Sequence, residues 1–249
     1  MTRYEPTGPI DLLGCRTLIE VCGAIDKPLV IGAWMTRAIV LSRNSGLSVR
    51  RTNDVDVAAV PEVANVVELS RRLAASGYQR DQQGYPFRYS RMTPNGLQIV
   101  DVMVDASSPS PDALGVLGLR SATVTLDLIH LDIQEVGMAD FRVPSLDGAF
   151  LLRVLALQDG PGGLKFPDYA GDAGQLALFL VDDPKALASW ERRRDRSMED
   201  AIRINNGLFD TERSPGSIAA ARLLGGDEVL AARRVTAAMT QLFPVARRT

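Results

Sequence analysis

The sequence predicts an α+β protein: a mixed sheet with helices over residues 1–145, followed by a helical region over residues 146–249. Three observations carry this expectation. The chain has 249 residues, 46% apolar and 23% charged, which is globular composition with length for one large domain or two modest ones. Its first half switches between the 3.6-residue period of helices and the two-residue period of strands. After Pro144 only helix-compatible patterns remain.

Taken in order, Leu12 to Ile25 has apolar residues at 12, 13, 18, 19, 22 and 25, an amphipathic helix that Pro28 stops. Leu29-Val30-Ile31 reads as a short strand, Gly32 as a turn, and Ala33 to Leu41 as a second helix. Asp54 to Val60 alternates as a strand ended by Pro61, and Val63 to Ser76 is a helix ended by Gly77. Tyr85 to Met92 and Leu97 to Val104 are strands joined by Thr93-Pro94-Asn95-Gly96, whose Asn-Gly pair suits a tight hairpin turn. Tyr85, Phe87 and Tyr89 on this hairpin read as core or strand-pair residues. A Pro/Ser-rich link from Ser107 to Pro111 leads into a β-rich stretch from Ala122 to Val143. Helical patterns follow over Leu146–Gln158, Ala173–Val181, Pro184–Arg203, Ser217–Leu224 and Asp227–Leu242.

The net charge of −2, from 28 basic and 30 acidic side chains, gives no overall field that would draw the chain onto nucleic acid or an anionic membrane. Arginines cluster at Arg192-Arg193-Arg194 with Arg196, at Arg233-Arg234 and at Arg247-Arg248. Glu191, Asp195, Glu199 and Asp200 are interleaved with the first cluster, which reads as a solvated helix face with local ion pairs. No apolar run reaches the ~18 residues of a membrane helix, and the N-terminus lacks a basic-then-apolar signal pattern, so a cytoplasmic protein is expected. Cys15 and Cys22 lie about 10 Å apart along one helix, too far for a disulfide, and read as buried thiols. A lone histidine, His130, with no Gly-x-Ser-x-Gly elbow, leaves the chemistry to carboxylates.

The segment Arg50-Arg51-Thr52-Asn53-Asp54-Val55-Asp56-Val57 is the most informative. In a strand, Asp54 and Asp56 project to one face and Val55 and Val57 to the other. Two carboxylates so placed call for a cation; the bland alternative is a solvated strand edge. Upstream, Val30-Ile31-Gly32-Ala33-Trp34 runs a strand through a glycine turn into a helix, presenting backbone N–H groups suited to phosphate. Downstream, Asp101 interrupts the apolar strand Gln98 to Val104. Three aspartates on two strands beside a glycine turn can hold two metal ions, Mg²⁺ or Mn²⁺, which would activate an attacking oxygen and stabilise a pyrophosphate leaving group.

This pattern resembles the nucleotidyltransferase fold shared by DNA polymerase beta and antibiotic nucleotidyltransferases. More narrowly, Arg50-x-Thr52-x-Asp54-Val55-Asp56 is similar to the signature of AbiEii-like proteins, the toxins of type IV toxin–antitoxin systems. The resemblance implies a nucleotidyltransferase catalytic domain over 1–145 and a helical domain over 146–249 forming the other wall of a cleft. It implies transfer of a nucleoside monophosphate from an NTP to an acceptor hydroxyl. The acceptor would be RNA, tRNA above all, for a toxin restrained by a cognate antitoxin, or a small hydroxylated molecule for an antibiotic-type enzyme. A non-catalytic nucleotide-binding or interaction module on the same fold is the third reading.

On this resemblance Asp54, Asp56 and Asp101 are catalytic and metal-binding, with Asp101 a metal ligand or the base for the acceptor hydroxyl. Gly32, Ala33, Arg50, Thr52, Arg153 and Lys165 bind the nucleotide. Leu151 to Asp159 resembles the family helix that carries a lysine, with Arg153 at the lysine position. Lys165, just ahead of the family's next motif, is one of three lysines in a chain whose other 25 basic side chains are arginine. Ala33 stands where the family has Gly or Ser, and Gln175 where it has an acidic residue. Gly160 to Lys165 is not a P-loop, because Phe166 stands where that motif needs Ser or Thr.

Overall fold

The computed structural model describes residues 2–43, 46–47, 49–60, 65–82 and 84–244, so that Val63, Pro61, Arg247 and Arg248 lie outside the described residues. The chain divides into two units, one of Met1–Ser45, Val49–Arg120 and Leu126–Pro144, the other of Gly46–Ser48, Ser121–Thr125 and Ser145–Thr249. The fold is α+β with a helical C-terminal half, as its sequence pattern predicts.

The elements before residue 145 are β1 (Thr2–Tyr4), α1 (Pro9–Ala24), β2 (Val30–Ile31), α2 (Gly32–Ser42), β3 (Asp54–Ala58), α3 (Val66–Ala75), β4 (Gln79–Arg80), β5 (Arg88–Thr93), β6 (Gly96–Asp105), β7 (Leu114–Val116), α4 (Leu119–Ala122), β8 (Leu126–Ile133) and β9 (Gly137–Pro144). One sheet runs β2-β3-β6-β5-β4, with β7 also paired to β6, and a second runs β1-β8-β9. The first sheet is mixed: β3 lies parallel to β6, whereas β2 and β5 run antiparallel to their neighbours. Val55, Val57, Val100 and Val102 fill one face of β3 and β6 and are almost wholly buried. The intervening residues therefore turn to the opposite face.

Several expectations shift. The hairpin turn is Pro94-Asn95, with Thr93 paired to Gly96, so Asn-Gly does not form its centre. Proline presets the φ of the first turn residue, and the Thr93 hydroxyl closes the loop by donating to the Gly96 carbonyl at 2.9 Å. Residues 122–125 are not strand, since Ala122 ends a short helix. Of the hairpin aromatics, Tyr89 is buried with its hydroxyl on Ser70, but Tyr85 is exposed. Strands β1, β4 and β7, each of two or three residues, are too short to declare a period.

The second unit contains α5 (Leu146–Leu155), a 3-10 turn (Gly160–Gly162), α6 (Phe166–Asp182), α7 (Pro184–Arg192), α8 (Arg196–Asn205), α9 (Pro215–Leu224) and α10 (Glu228–Leu242). Phe150, Trp190 and Phe243 form an aromatic cluster, and the Trp190 indole donates to the Leu242 carbonyl at 3.0 Å. Gly171 and Gly174 of α6 let α9 approach closely, leaving no room for a side chain against Leu223 and Ala220. The single helix expected over Pro184–Arg203 is two. Arg193 leaves the helical path to pair with buried Asp147 at 2.7 Å and to donate to the Ser121 carbonyl at 3.0 Å, and Asp195 then caps α8. Arg193 is thus an enclosed structural cation, not part of a solvated face. Among the described residues no helix is long and apolar enough to cross a membrane.

Candidate metal centre and its surroundings

Strand β2 ends at Ile31, which pairs with Asp56 of β3, and Gly32 opens α2 immediately after it. Gly32 has φ +66°, and a methyl group there would overlap the Asp56 carboxylate. Glycine is required twice over, by the backbone and by the side chain that fills the vacant Cβ position. In the parallel register of β3 and β6, Asp56 faces Asp101, and Asp54 stands two residues back on the same face. One carboxylate oxygen from each of Asp54, Asp56 and Asp101 lies within 4.8 Å of the others. Asp54 and Asp56 are partly exposed and Asp101 is buried.

The approach to β3 is fixed by its neighbours. The Thr52 hydroxyl donates to the Asp54 carboxylate, while the Thr52 carbonyl occupies the space that a side chain at Gly14 of α1 would need. The Arg50 carbonyl accepts a hydrogen bond from Arg37 Nη2 at 2.7 Å. Arg37 is itself fully buried. It pairs with Asp11 at 2.7 Å and lies over the rings of Trp34 and Tyr4. Asp11 accepts from the Tyr4 hydroxyl at 2.5 Å and the Thr7 N–H at 2.8 Å. Burial works to raise the Asp11 pKa, but these hydrogen bonds and the Arg37 charge outweigh it and hold the carboxyl below its ordinary value. Burial and the bond to Asp11 push the Tyr4 hydroxyl upward. A buried ion pair thereby joins α1 and α2 to the segment that carries Arg50, Thr52 and Asp54.

Sequence reasoning missed Arg88. It stands directly opposite Asp101 across β5 and β6 and grips it with both arms of the guanidinium, Nε to Oδ1 at 2.8 Å and Nη2 to Oδ2 at 2.7 Å. The hydrogen bonds from Arg88 to Asp101 raise the pKa of this arginine against desolvation, and the charges of Asp101, Asp54 and Asp56 add to the rise. The available signal was the two-residue turn: counting outward from the Thr93–Gly96 pair places 88 across from 101.

The first unit thus brings together Gly32, Thr52, Asp54, Asp56 and Asp101, with Ala33 buried in the first turn of α2 and Arg50 tied through its carbonyl. Arg153 and Lys165 belong to the second unit. Arg153 is buried, ion-paired with Asp172 at 3.2 Å and set over the Tyr169 ring. Lys165 is exposed at the N-cap of α6 and lines a cavity of about 280 Å³ with Ala156, Leu157, Asp159, Phe166 and Tyr169. His130 is an exposed strand residue facing Asp140 at 2.9 Å. Burial raises both thiols, Cys15 and Cys22, to about 12, which leaves them protonated and unreactive.

Three clustered carboxylates suit a hard divalent cation, Mg²⁺ or Mn²⁺, better than a soft one. No family model and no curated protein matches the chain. Among solved structures, the chain is similar to an antigenic nucleotidyltransferase-like protein from Paracoccidioides brasiliensis. That likeness has 16% identity and a TM-score of 0.42, and covers 78% of this chain and 91% of that one.

Proposed function

We propose that the chain is a metal-dependent nucleotidyltransferase that moves a nucleoside monophosphate from an NTP to an acceptor hydroxyl. The observation that carries the reading is the convergence of Asp54, Asp56 and Asp101 on one face of β3 and β6, against the Gly32 turn. The strand–Gly–helix unit followed by Asp-x-Asp on the neighbouring strand, with a third aspartate on the next, is the arrangement the sequence resemblance implies. Mg²⁺ or Mn²⁺ bound by these carboxylates would polarise the α-phosphate and offset the charge that develops on the leaving pyrophosphate. The acceptor oxygen forms a bond to the α-phosphorus as the bond from that phosphorus to the bridging oxygen of the pyrophosphate breaks. The acceptor proton passes to the carboxylate of Asp101, and pyrophosphate leaves with the electron pair.

The backbone N–H groups of Gly32 and Ala33, at the start of α2, are suited to phosphate oxygens. Arg50 and Thr52 complete the nucleotide side, Thr52 by orienting Asp54. Of the two cations that the resemblance assigns from the helical region, exposed Lys165 suits a phosphate better than Arg153, which is enclosed with Asp172. RNA, tRNA above all, is the acceptor class proposed. A cognate antitoxin as partner and a cytoplasmic setting belong to the same reading.

The experiment is incubation of the protein with each α-labelled NTP, Mg²⁺ and total RNA, with a panel of small hydroxylated molecules in parallel. Transfer of label is expected, falling at least about a hundredfold in Asp54→Asn and Asp56→Asn. Label on a small molecule instead of RNA would make this an antibiotic-type enzyme. No transfer to any acceptor, with NTP binding intact, would make the chain a nucleotide-binding module.

A further inference from the structure

Beside the three aspartates stands a group of opposite charge, Arg88. Arg88 is not a chance surface neighbour. Its strand pairs residue for residue with β6, so the register that defines the hairpin also sets Arg88 opposite Asp101. Both Asp101 oxygens are engaged, at 2.8 and 2.7 Å, and the guanidinium lies over the Tyr85 ring, 5.2 Å from its centroid. Tyr85 in turn packs edge-on against Phe87. The Asp101 side chain is 6% exposed and that of Arg88 30% exposed, so the ion pair is enclosed on the carboxylate side and open on the arginine side. Asp54 and Asp56 lie on the next strand, with Asp56 in register with Asp101. One row across three strands therefore reads Arg88, Asp101, Asp56.

We propose that Arg88 is a positioning residue of this centre: its guanidinium fork fixes the Asp101 carboxylate and serves as a built-in cation with which an entering metal ion has to share that carboxylate. Asp101 is thereby presented in one orientation toward the acceptor. The role rests on the triad being a cation site, as proposed above. It has a consequence opposite in sign to that of a scaffold residue. Loss of a scaffold residue weakens metal binding, whereas loss of a neighbouring positive charge strengthens it.

The test is a titration of the full chain with Mn²⁺, followed by electron paramagnetic resonance, for wild type, Arg88→Gln and Arg88→Lys. Asp54→Asn with Asp56→Asn serves as the variant that removes the site. Arg88→Gln keeps an uncharged hydrogen-bonding side chain and removes the charge, and is expected to bind Mn²⁺ roughly tenfold tighter than wild type. Arg88→Lys keeps the charge but loses the two-pronged grip, and is expected to bind within about threefold of wild type. In label transfer both variants are expected to lose about tenfold or more in kcat with little change in KM for NTP, because the orientation of Asp101 and not nucleotide affinity is disturbed.

Mn²⁺ binding in Arg88→Gln that is equal to or weaker than wild type would overturn the proposal, as would full kcat in Arg88→Lys. Failure of the underlying reading looks different: wild type would then bind no Mn²⁺ that depends on Asp54 and Asp56, whatever stands at 88. Should Arg88→Gln not fold, the Arg88→Lys arm decides, with an unchanged kcat overturning the proposal and a reduced kcat at near-wild-type Mn²⁺ affinity supporting it.

Discussion

At Gly32 a hydrogen atom stands where any other residue would drive a side chain into the Asp56 carboxylate. The residue sits at φ +66°, and the volume a methyl would fill belongs to the Asp56 carboxylate. Gly32→Ala is therefore expected to lower stability by about 1–3 kcal/mol from backbone strain alone. It should also displace Asp56, so that Mn²⁺ affinity falls with the melting temperature. A variant that melts lower but binds Mn²⁺ as wild type would show that Asp56 is not a ligand. Residues of this kind are legible from sequence, because a two-residue strand period fixes which carboxylates share a face and glycine before a helix marks a turn. Arg88 and the Asp11–Arg37 pair were not legible. Each depends on a partner brought in by tertiary pairing, and an arginine in a chain with so many carries no mark of which one is enclosed.

Among the elements, α6 depends on absent side chains. A Cβ at Gly174 would come within 2.5 Å of the Ala220 methyl, and one at Gly171 within 2.6 Å of a Leu223 methyl. Gly174→Ala gains roughly 1 kcal/mol of intrinsic helix preference. It is nevertheless expected to destabilise by about 1–3 kcal/mol net, because α9 has to move away. Gly23→Ala near the end of α1 meets nothing within 4 Å and is expected to gain about 0.4–1 kcal/mol. Urea unfolding of the two variants checks the contrast in sign. Most helices were legible by period, but the interruption at Arg193 was not. The helical pattern of Pro184 to Arg203 is continuous, and buried Asp147, 46 residues earlier in the chain, together with the Ser121 carbonyl, draws Arg193 out of it. The hairpin was legible and its turn was misplaced by one residue, because Pro94 prevailed over the Asn-Gly signal.

At the scale of the whole molecule, each unit encloses a carboxylate with an arginine, Asp11 with Arg37 in one and Asp147 with Arg193 in the other. Burial works to raise both carboxyls. It is outweighed by Tyr4, Thr7 and Arg37 at Asp11, and by Ser145, Arg193 and Ser189 at Asp147, so both lie below the ordinary aspartate value of 3.8. A depressed carboxyl contributes stability that is complete above its unfolded value and is lost as the pH falls through the folded one. Urea midpoints measured at successive pH values are therefore expected to be level on the neutral side and to fall below pH 3.8. Removing one partner of either pair should cost about 3–5 kcal/mol at neutral pH. An acid limb unchanged in both Asp11→Asn and Asp147→Asn would contradict this account. The change of character near residue 145 was legible as a loss of strand pattern. That residues 46–48 and 121–125 cluster with the helical unit was not, since pieces of three and five residues have no composition of their own.

The vacancy at Gly14 extends beyond a single protein. Because the Thr52 carbonyl occupies the place of a side chain there, a residue on a helix without chemistry is tied to the segment that leads to the aspartates. Descent should preserve that tie. Lineages that keep Arg-x-Thr-x-Asp-x-Asp are expected to keep glycine at 14, and lineages that have lost the two aspartates to be released from it. Co-inheritance of these positions would then show that the packing of α1 and the two aspartates are held as one unit.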